Sequence, residues 1–184
     1  MPLTIYTIGH STRAAEEFRD LLRESEIRRL VDVRQYPGSR RLPQFNRAAL
    51  ESSMAAAGIA YEWIRELGGR RRAAAEPSPN PGLRNPSFRN YADYMPTPAF
   101  RAGIERLLAG AQETRTAIMC AEAVYWRCHR RLISDYLTAI GCNVQHIMGP
   151  GQLQPHTLTP GVLLREDGVL YPGGDDPGQP GLWP

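Results

Sequence analysis

Apolar and polar positions along this chain switch between a two-residue rhythm and a helical one, in short blocks separated by turn residues. Leu3 to Ile8 predicts a first strand that ends in Gly9-His10-Ser11-Thr12, and Ala14, Phe18, Leu21 and Leu22 then recur at helical spacing. Glu16 and Glu17 fall in that helix's first turn, where the macrodipole favours acids. Ile27 to Val33 predicts a second strand, in which Leu30, Val31 and Val33 supply the apolar part while Asp32 and Arg34 project together from the other face. A carboxylate within a buried strand needs a partner, and Arg34 or an arginine from a loop is the expected one.

Gln35 to Gln44, with two prolines and a glycine, predicts a loop after that strand's carboxyl end. Phe45 and Leu50 flank Asn46 at the spacing of a hydrophobic staple around an N-cap, so a helix is expected to about Ala57, stopped by Gly58. Ile59 to Ile64 alternates as a third strand. Residues 65–90 read as an arginine-rich loop, lid or anion-binding arm, with Arg65, Arg70, Arg71, Arg72, Arg84 and Arg89 among Gly and Pro. Thr97 as N-cap and Pro98 at the first helical position open a helix ending at Gly110.

Thr116 to Arg131 then runs strand, turn, helix, carrying Cys120, Glu122, Cys128, His129 and Arg130. Leu132, Ile133, Tyr136, Leu137 and Ile140 form one apolar stripe closed by Gly141, and Asn143 to Met148 reads as the last strand of the sheet. Residues 149–184 read as a C-terminal hairpin, with Asp167-Gly168 as its turn, and an irregular tail rich in Gly and Pro. The alternation of strands and helices predicts one α/β domain over residues 1–184. Its architecture is three-layer, a mostly parallel Rossmann-like sheet with helices on both faces.

Composition narrows the chemistry. All 22 basic residues are arginine, whose planar fork suits carboxylate or phosphate, but a net charge of +3 does not by itself argue for nucleic-acid binding. Three cysteines form no C-x-x-C pair, and no signal peptide or membrane-spanning run is present, so the chain reads as cytoplasmic with reduced thiols and no membrane partner.

Several motifs together resemble the domain of unknown function 488 family. They are T-I-G-H-S at Thr7 to Ser11, V-D-V-R at Val31 to Arg34 with P-G-S-R at Pro37 to Arg40, L-G-G-R at Leu67 to Arg70, Y-A-D-Y-M at Tyr91 to Met95, and C-A-E with C-H-R between Cys120 and Arg130. The resemblance spans residues 4 to about 148 and implies an α/β fold, without implying an activity.

Polar groups at three strand ends are not needed to build a sheet, so they are expected to converge in one crevice outside the strands' carboxyl ends. The candidate catalytic residues are Glu122, His10, Cys120, Cys128 and His129; the candidate ligand-binding residues are Gly9, Ser11, Asp32, Arg34, Ser39, Arg40, Tyr91 and Arg130. A phosphatase-like loop fails, because position 126, six after Cys120, is Trp126 and the arginine is Arg127. Zinc held by Cys120, Cys128, His129 and His10 lacks short ligand pairs, so no metal or other cofactor is assigned. Covalent thiol chemistry would use Cys120 or Cys128 activated by a helix N-terminus and His129. The favoured reading is a hydrolase or transferase acting on a phosphate-bearing small molecule or nucleic acid, with Glu122 as acid/base and arginines as the anion clamp. Tyr36, Tyr91 or Trp126 would stack on a base. A non-catalytic nucleotide sensor using the same crevice is the rival.

Overall fold

A computed structural model describes residues 1–74 and 77–173; the tail expected over 174–184 lies outside them. The main sheet has six strands, in the order β3-β2-β4-β1-β5-β6. They are β1 (Thr4–Gly9), β2 (Arg29–Asp32), β3 (Ala60–Trp63), β4 (Thr116–Cys120), β5 (Asn143–Gly149) and β6 (Gln152–Pro155). The first five pair in parallel and β6 runs antiparallel to β5. The helices are α1 (Ala15–Glu24), α2 (Arg47–Ala56), α3 (Pro86–Tyr94), α4 (Pro98–Glu113) and α5 (Arg130–Ala139). A separate hairpin, β7 (Leu163–Arg165) with β8 (Gly168–Leu170), forms where Asp167-Gly168 predicts one.

The period of two along each strand sorts the core into two layers. Ile5, Val31, Val33 and Ile118 face α3, α4 and α5, meeting Phe100, Leu107, Leu132 and Ile133. Tyr6, Ile8, Leu30 and Met119 face the opposite way, onto Phe18, Leu21 and Leu22 of α1 and Leu50 and Met54 of α2. Each fully buried Leu or Ile contributes ~1.5–3 kcal/mol relative to exposure, so these two faces set the register of every parallel strand.

That layering decides where a ligand can sit. The chain leaves β1 for α1 on one face, whereas it leaves β4, β1's neighbour, for α5 on the other. Connections that diverge to opposite faces open a crevice at the carboxyl ends between the two strands. The β1–β4 ladder continues past the strands through His10 N–H to Cys120 O (2.9 Å) and Ser11 N–H to Ala121 O (2.9 Å), so both turns enter that crevice together.

Four local expectations change. The sheet does not end at β5, because Met148-Gly149-Pro150-Gly151 turns the chain back into β6, with Gly151 at φ +65°. The irregular stretch after Leu67 gives way at Asn85 to α3, where the Asn85 side chain accepts from Ser87 N–H and Pro86 occupies the first turn, a cap-and-proline start hidden among other prolines. Helix α4 runs through Gly110 to Glu113. Gly110 instead makes room for buried Arg29, which donates to Leu107 O and Arg106 O and pairs with Glu62 at 2.6 Å. Asn46 precedes α2 but does not cap it: its Oδ1 accepts from Ser39 N–H at 2.6 Å and so anchors the Pro37–Leu42 loop.

Gly9 is where β1 meets the turn after β4. A Cβ there would stand 1.7 Å from Glu122 O and 2.9 Å from Arg130 Nη2, and the first of these is backbone that cannot step aside alone. Gly9→Ala should therefore destabilise the protein by at least the ~1–3 kcal/mol of an overpacked core, read by urea unfolding. Unchanged stability would mean that the two turns do not touch.

Candidate active site

The crevice is a cleft of about 860 Å³. His10, Ser11 and Thr12 follow β1; Arg34, Gln35, Tyr36, Gly38 and Ser39 follow β2; Cys120 ends β4, and Ala121, Glu122 and Ala123 follow it; and Arg127, Cys128 and His129 lead into α5. Gly69, Arg70, Ser87 and Phe88 close the side. Ser11 takes φ +47°, an uncommon conformation for a residue with a side chain.

Asp32 is fully buried and saturated. It accepts from the Arg34 backbone N–H (3.0 Å), from Arg34 Nε (2.9 and 3.1 Å) and Nη2 (2.6 Å), and from Tyr61 Oη (2.7 Å). Burial and the Asp32 charge push the Tyr61 phenol far up, so it stays a donor. Arg34 is thereby fixed with Nη1 3.5 Å from His10 Nε2. Because His10 Nδ1 lies 2.8 Å from Ser11 O, which only accepts, Nδ1 carries the proton and Nε2 is the acceptor. Burial lowers the His10 pKa, the Ser11 bond opposes it and Arg34 adds to the lowering, so His10 is neutral near pH 7.

Cys120, Cys128 and His129 gather at the floor. His129 Nε2 donates to Val33 O at 2.9 Å, which leaves Nδ1 unprotonated, 3.6 Å from Cys128 Sγ and 3.9 Å from Cys120 Sγ. Gly69 lies against the ring, where a Cβ would be 2.6 Å from Nδ1, and Tyr91 packs edge-on against it. Burial pushes the Cys128 thiol up, but the hydrogen bond from Cys120 and the charge of Arg130 outweigh it and hold Cys128 well below the usual thiol range. Cys120, hydrogen-bonded to Cys128 and itself desolvated, is pushed well above that range.

Arg130 stands behind this cluster, 1 % exposed. Its Nε and backbone N–H point at Cys128 Sγ (3.4 and 3.5 Å), Nη2 donates to Glu122 O (2.7 Å) and Nη1 to Thr7 Oγ1 (3.3 Å). From Thr7 a buried chain continues to His146 Nδ1 (2.7 Å), from His146 Nε2 to His156 Nδ1 (3.0 Å), and from His156 Nε2 to Asp135 Oδ1 (2.8 Å). Asp135 also accepts from Tyr171 Oη and Thr159 N–H, and Tyr125 stacks on His146 with ring centroids 3.5 Å apart.

The expected residues divide accordingly. Lining the cleft are His10, Ser11, Arg34, Ser39, Cys120, Glu122, Cys128 and His129. Gly9 shapes it from behind and Asp32 orients Arg34. Arg40 is exposed on the loop and outside the lining, since the Asp32 position that would draw it inward is taken by Arg34. Tyr91 is buried in the core, donating to Leu67 O, and cannot stack on a ligand. Trp126 packs on Tyr125 outside the cleft, whereas Tyr36, 66 % exposed, stands in its wall. Arg130 meets protein atoms and not the cleft. Of the arginines of residues 65–90, Arg70 reaches the cleft, while Arg71 clamps the loop through Gly68, Arg65 and Glu66 carbonyls and lies over Tyr94. Arg127 enters the cleft through the turn ahead of α5, and Thr7, His146, His156 and Asp135 come together from distant parts of the chain, so no local motif marks them.

Two stability measurements test this geometry. Asp32→Ala leaves the buried Arg34 guanidinium unpaired and should cost roughly 3–5 kcal/mol in denaturant unfolding; a parent-like midpoint would contradict the pairing. Burial, with His156 and Arg130 nearby, lowers the His146 pKa from 6.5 to about 2. The folded state therefore refuses a proton that the unfolded chain accepts below pH 6.5, so stability falls with falling pH, by ~1.4 kcal/mol per unit from this group. Urea unfolding at pH 6.5 and 5.0 should show that loss, and His146→Gln should remove most of it; an equally steep loss in the variant would put the effect elsewhere.

Nothing among the curated proteins and nothing among the solved structures matches the chain. The family described as "Domain of unknown function DUF488" matches residues 14–137, well over half of the chain, from the end of the first turn to α5. The matched span takes in Asp32, Arg34, Gly69, Cys120, Glu122, Cys128 and His129, and leaves the T-I-G-H-S motif just ahead of it. The chain belongs to the DUF488 family.

Proposed function

We propose that the cleft is the active site of an enzyme, a hydrolase or transferase, acting on a phosphate-bearing ligand such as a nucleotide or a nucleic-acid end. The observation that carries this reading is a cleft at the sheet's switch point whose walls hold Arg34, Arg70 and Arg127 on one continuous surface with Glu122. Guanidinium forks match phosphate oxygens in pairs. Exposed Tyr36 offers a face for a base. Glu122 makes no hydrogen bond to another described residue through its carboxylate, so it is free to take or give a proton at the ligand. We place this work in the cytoplasm, where the three free thiols stay reduced. Among the described residues no helix is long and apolar enough to cross a membrane.

The test is a screen of nucleotides and short oligonucleotides by calorimetry and by turnover. For the ligand found, Arg70→Ala with Arg127→Ala should weaken binding at least tenfold, since hydrogen bonds to charged groups are worth ~1.5–3 kcal/mol. Glu122→Gln should spare binding and lower turnover by roughly 100-fold or more. Parent-like binding by the double arginine variant would overturn the anion site. Tight binding without turnover would make the protein a sensor instead.

A further inference from the structure

The floor of the cleft carries a second chemistry that does not depend on the ligand's identity. Three soft donor atoms, Cys120 Sγ, Cys128 Sγ and His129 Nδ1, lie within 4.8 Å of one another. Tetrahedral zinc, with bonds of about 2.3 Å to sulfur and 2.0–2.1 Å to nitrogen, separates sulfur from nitrogen by about 3.6 Å and sulfur from sulfur by about 3.8 Å. The observed sulfur–nitrogen separations are 3.6 and 3.9 Å. Both match the tetrahedral sulfur–nitrogen spacing, and the two sulfurs lie within 4.8 Å of each other.

The surroundings are those a metal-bound imidazole requires. A ligating histidine donates its other N–H to a carbonyl or carboxylate, which fixes ring and tautomer, and His129 does so to Val33 O at 2.9 Å. Gly69 and Tyr91 confine the ring on two sides, so Nδ1 cannot turn from the sulfurs. The Arg130 backbone N–H and Nε are directed at Cys128 Sγ, as N–H donors stabilise a ligating thiolate. His10, grouped with these residues on sequence grounds, stands apart: its ring stacks on Phe45 and its Nε2 faces Arg34.

We propose that Cys120, Cys128 and His129 form a site for one soft divalent cation, Zn²⁺ by preference, with the fourth position open to the cleft. Two sulfurs and an imidazole select zinc over calcium or magnesium, which take oxygen. Three protein ligands and one open position are the pattern of catalytic rather than structural zinc. All three ligands line the cleft and Cys120 is partly exposed, so a water or a ligand oxygen can occupy that position beside Glu122. On binding, any proton on either thiol leaves to solvent as the sulfur–metal bond replaces the S–H bond.

Reduced protein, stripped with chelator, would be titrated with Co²⁺ and then Zn²⁺ and followed by absorbance. One equivalent of Co²⁺ should produce a thiolate-to-cobalt charge-transfer band that Zn²⁺ abolishes. Cys120→Ser, Cys128→Ser and His129→Ala should each weaken binding by more than the ~10–100-fold of outer-sphere changes, whereas Cys142→Ser should have no effect. In the parent protein, Zn²⁺ should protect Cys120 and Cys128, but not Cys142, from N-ethylmaleimide in peptide mass spectra, which needs no variant to fold. Sub-stoichiometric binding, a band that survives loss of both Cys120 and Cys128, or unprotected alkylation of the pair would overturn the site. Because no phosphate ligand is present in the titration, these outcomes are independent of those for the anion site.

Discussion

A guanidinium with no access to water must find its partners inside the protein, and Arg130 finds them on three separate segments of the chain. Its Nη2 holds the turn after β4 through Glu122 O, its Nε meets the sulfur of Cys128, and its Nη1 reaches β1 through Thr7. An unpaired buried charge would cost several kcal/mol, so each of these contacts is close to obligatory. Once they form, the β1 turn, the β4 turn and the start of α5 are locked at one distance from each other. The cleft is what remains between them.

The countercharge is distributed. Cys128, its thiol pKa held well below the usual range, lies on one side of Arg130, and Asp135 lies beyond Thr7, His146 and His156 on the other, each link using one donor and one acceptor. Two imidazoles in series, His146 and His156, let an aspartate on α5 support an arginine on the same helix through a strand and a loop. The same economy of direction appears at His10 and His129, each with one nitrogen committed to a backbone carbonyl. Both rings thus present an unprotonated nitrogen, His10 to Arg34 and His129 to the sulfurs.

Glycines make the close approaches possible. Gly9 lets the turn after β4 cross the end of β1, and Gly69 lets the loop after β3 lie on the His129 ring. The T-I-G-H-S and L-G-G-R motifs therefore have a steric meaning beside any chemical one. With the ring confined and the sulfurs held by the β4 register and the α5 N-terminus, the Cys/His cluster is preorganised before anything binds.

What the sequence determined by itself is local and periodic. Alternation and helical spacing located all five parallel strands, α1, α2, α4 and α5, and the Asp167-Gly168 hairpin, because one face of each element must be apolar whatever it packs against. The Asp32–Arg34 pair was equally readable, since residues two apart in a strand share a face. Convergence of strand ends followed from the rule that open α/β sheets bind at their switch points. Only the tertiary structure could decide which polar groups reach the cleft and which are consumed in building it. Arg130 and Tyr91 have the residue types of a binding site, yet burial commits both to protein partners. Arg127 and Arg70 differ from their neighbours only in the direction a turn gives them. Strand β6 and helix α3 lay in stretches where proline and glycine obscured the periodicity. The link from Cys128 to Asp135 joins residues on β1, α5, β5 and the segment after β6, and no spacing along the chain encodes a contact made across a sheet.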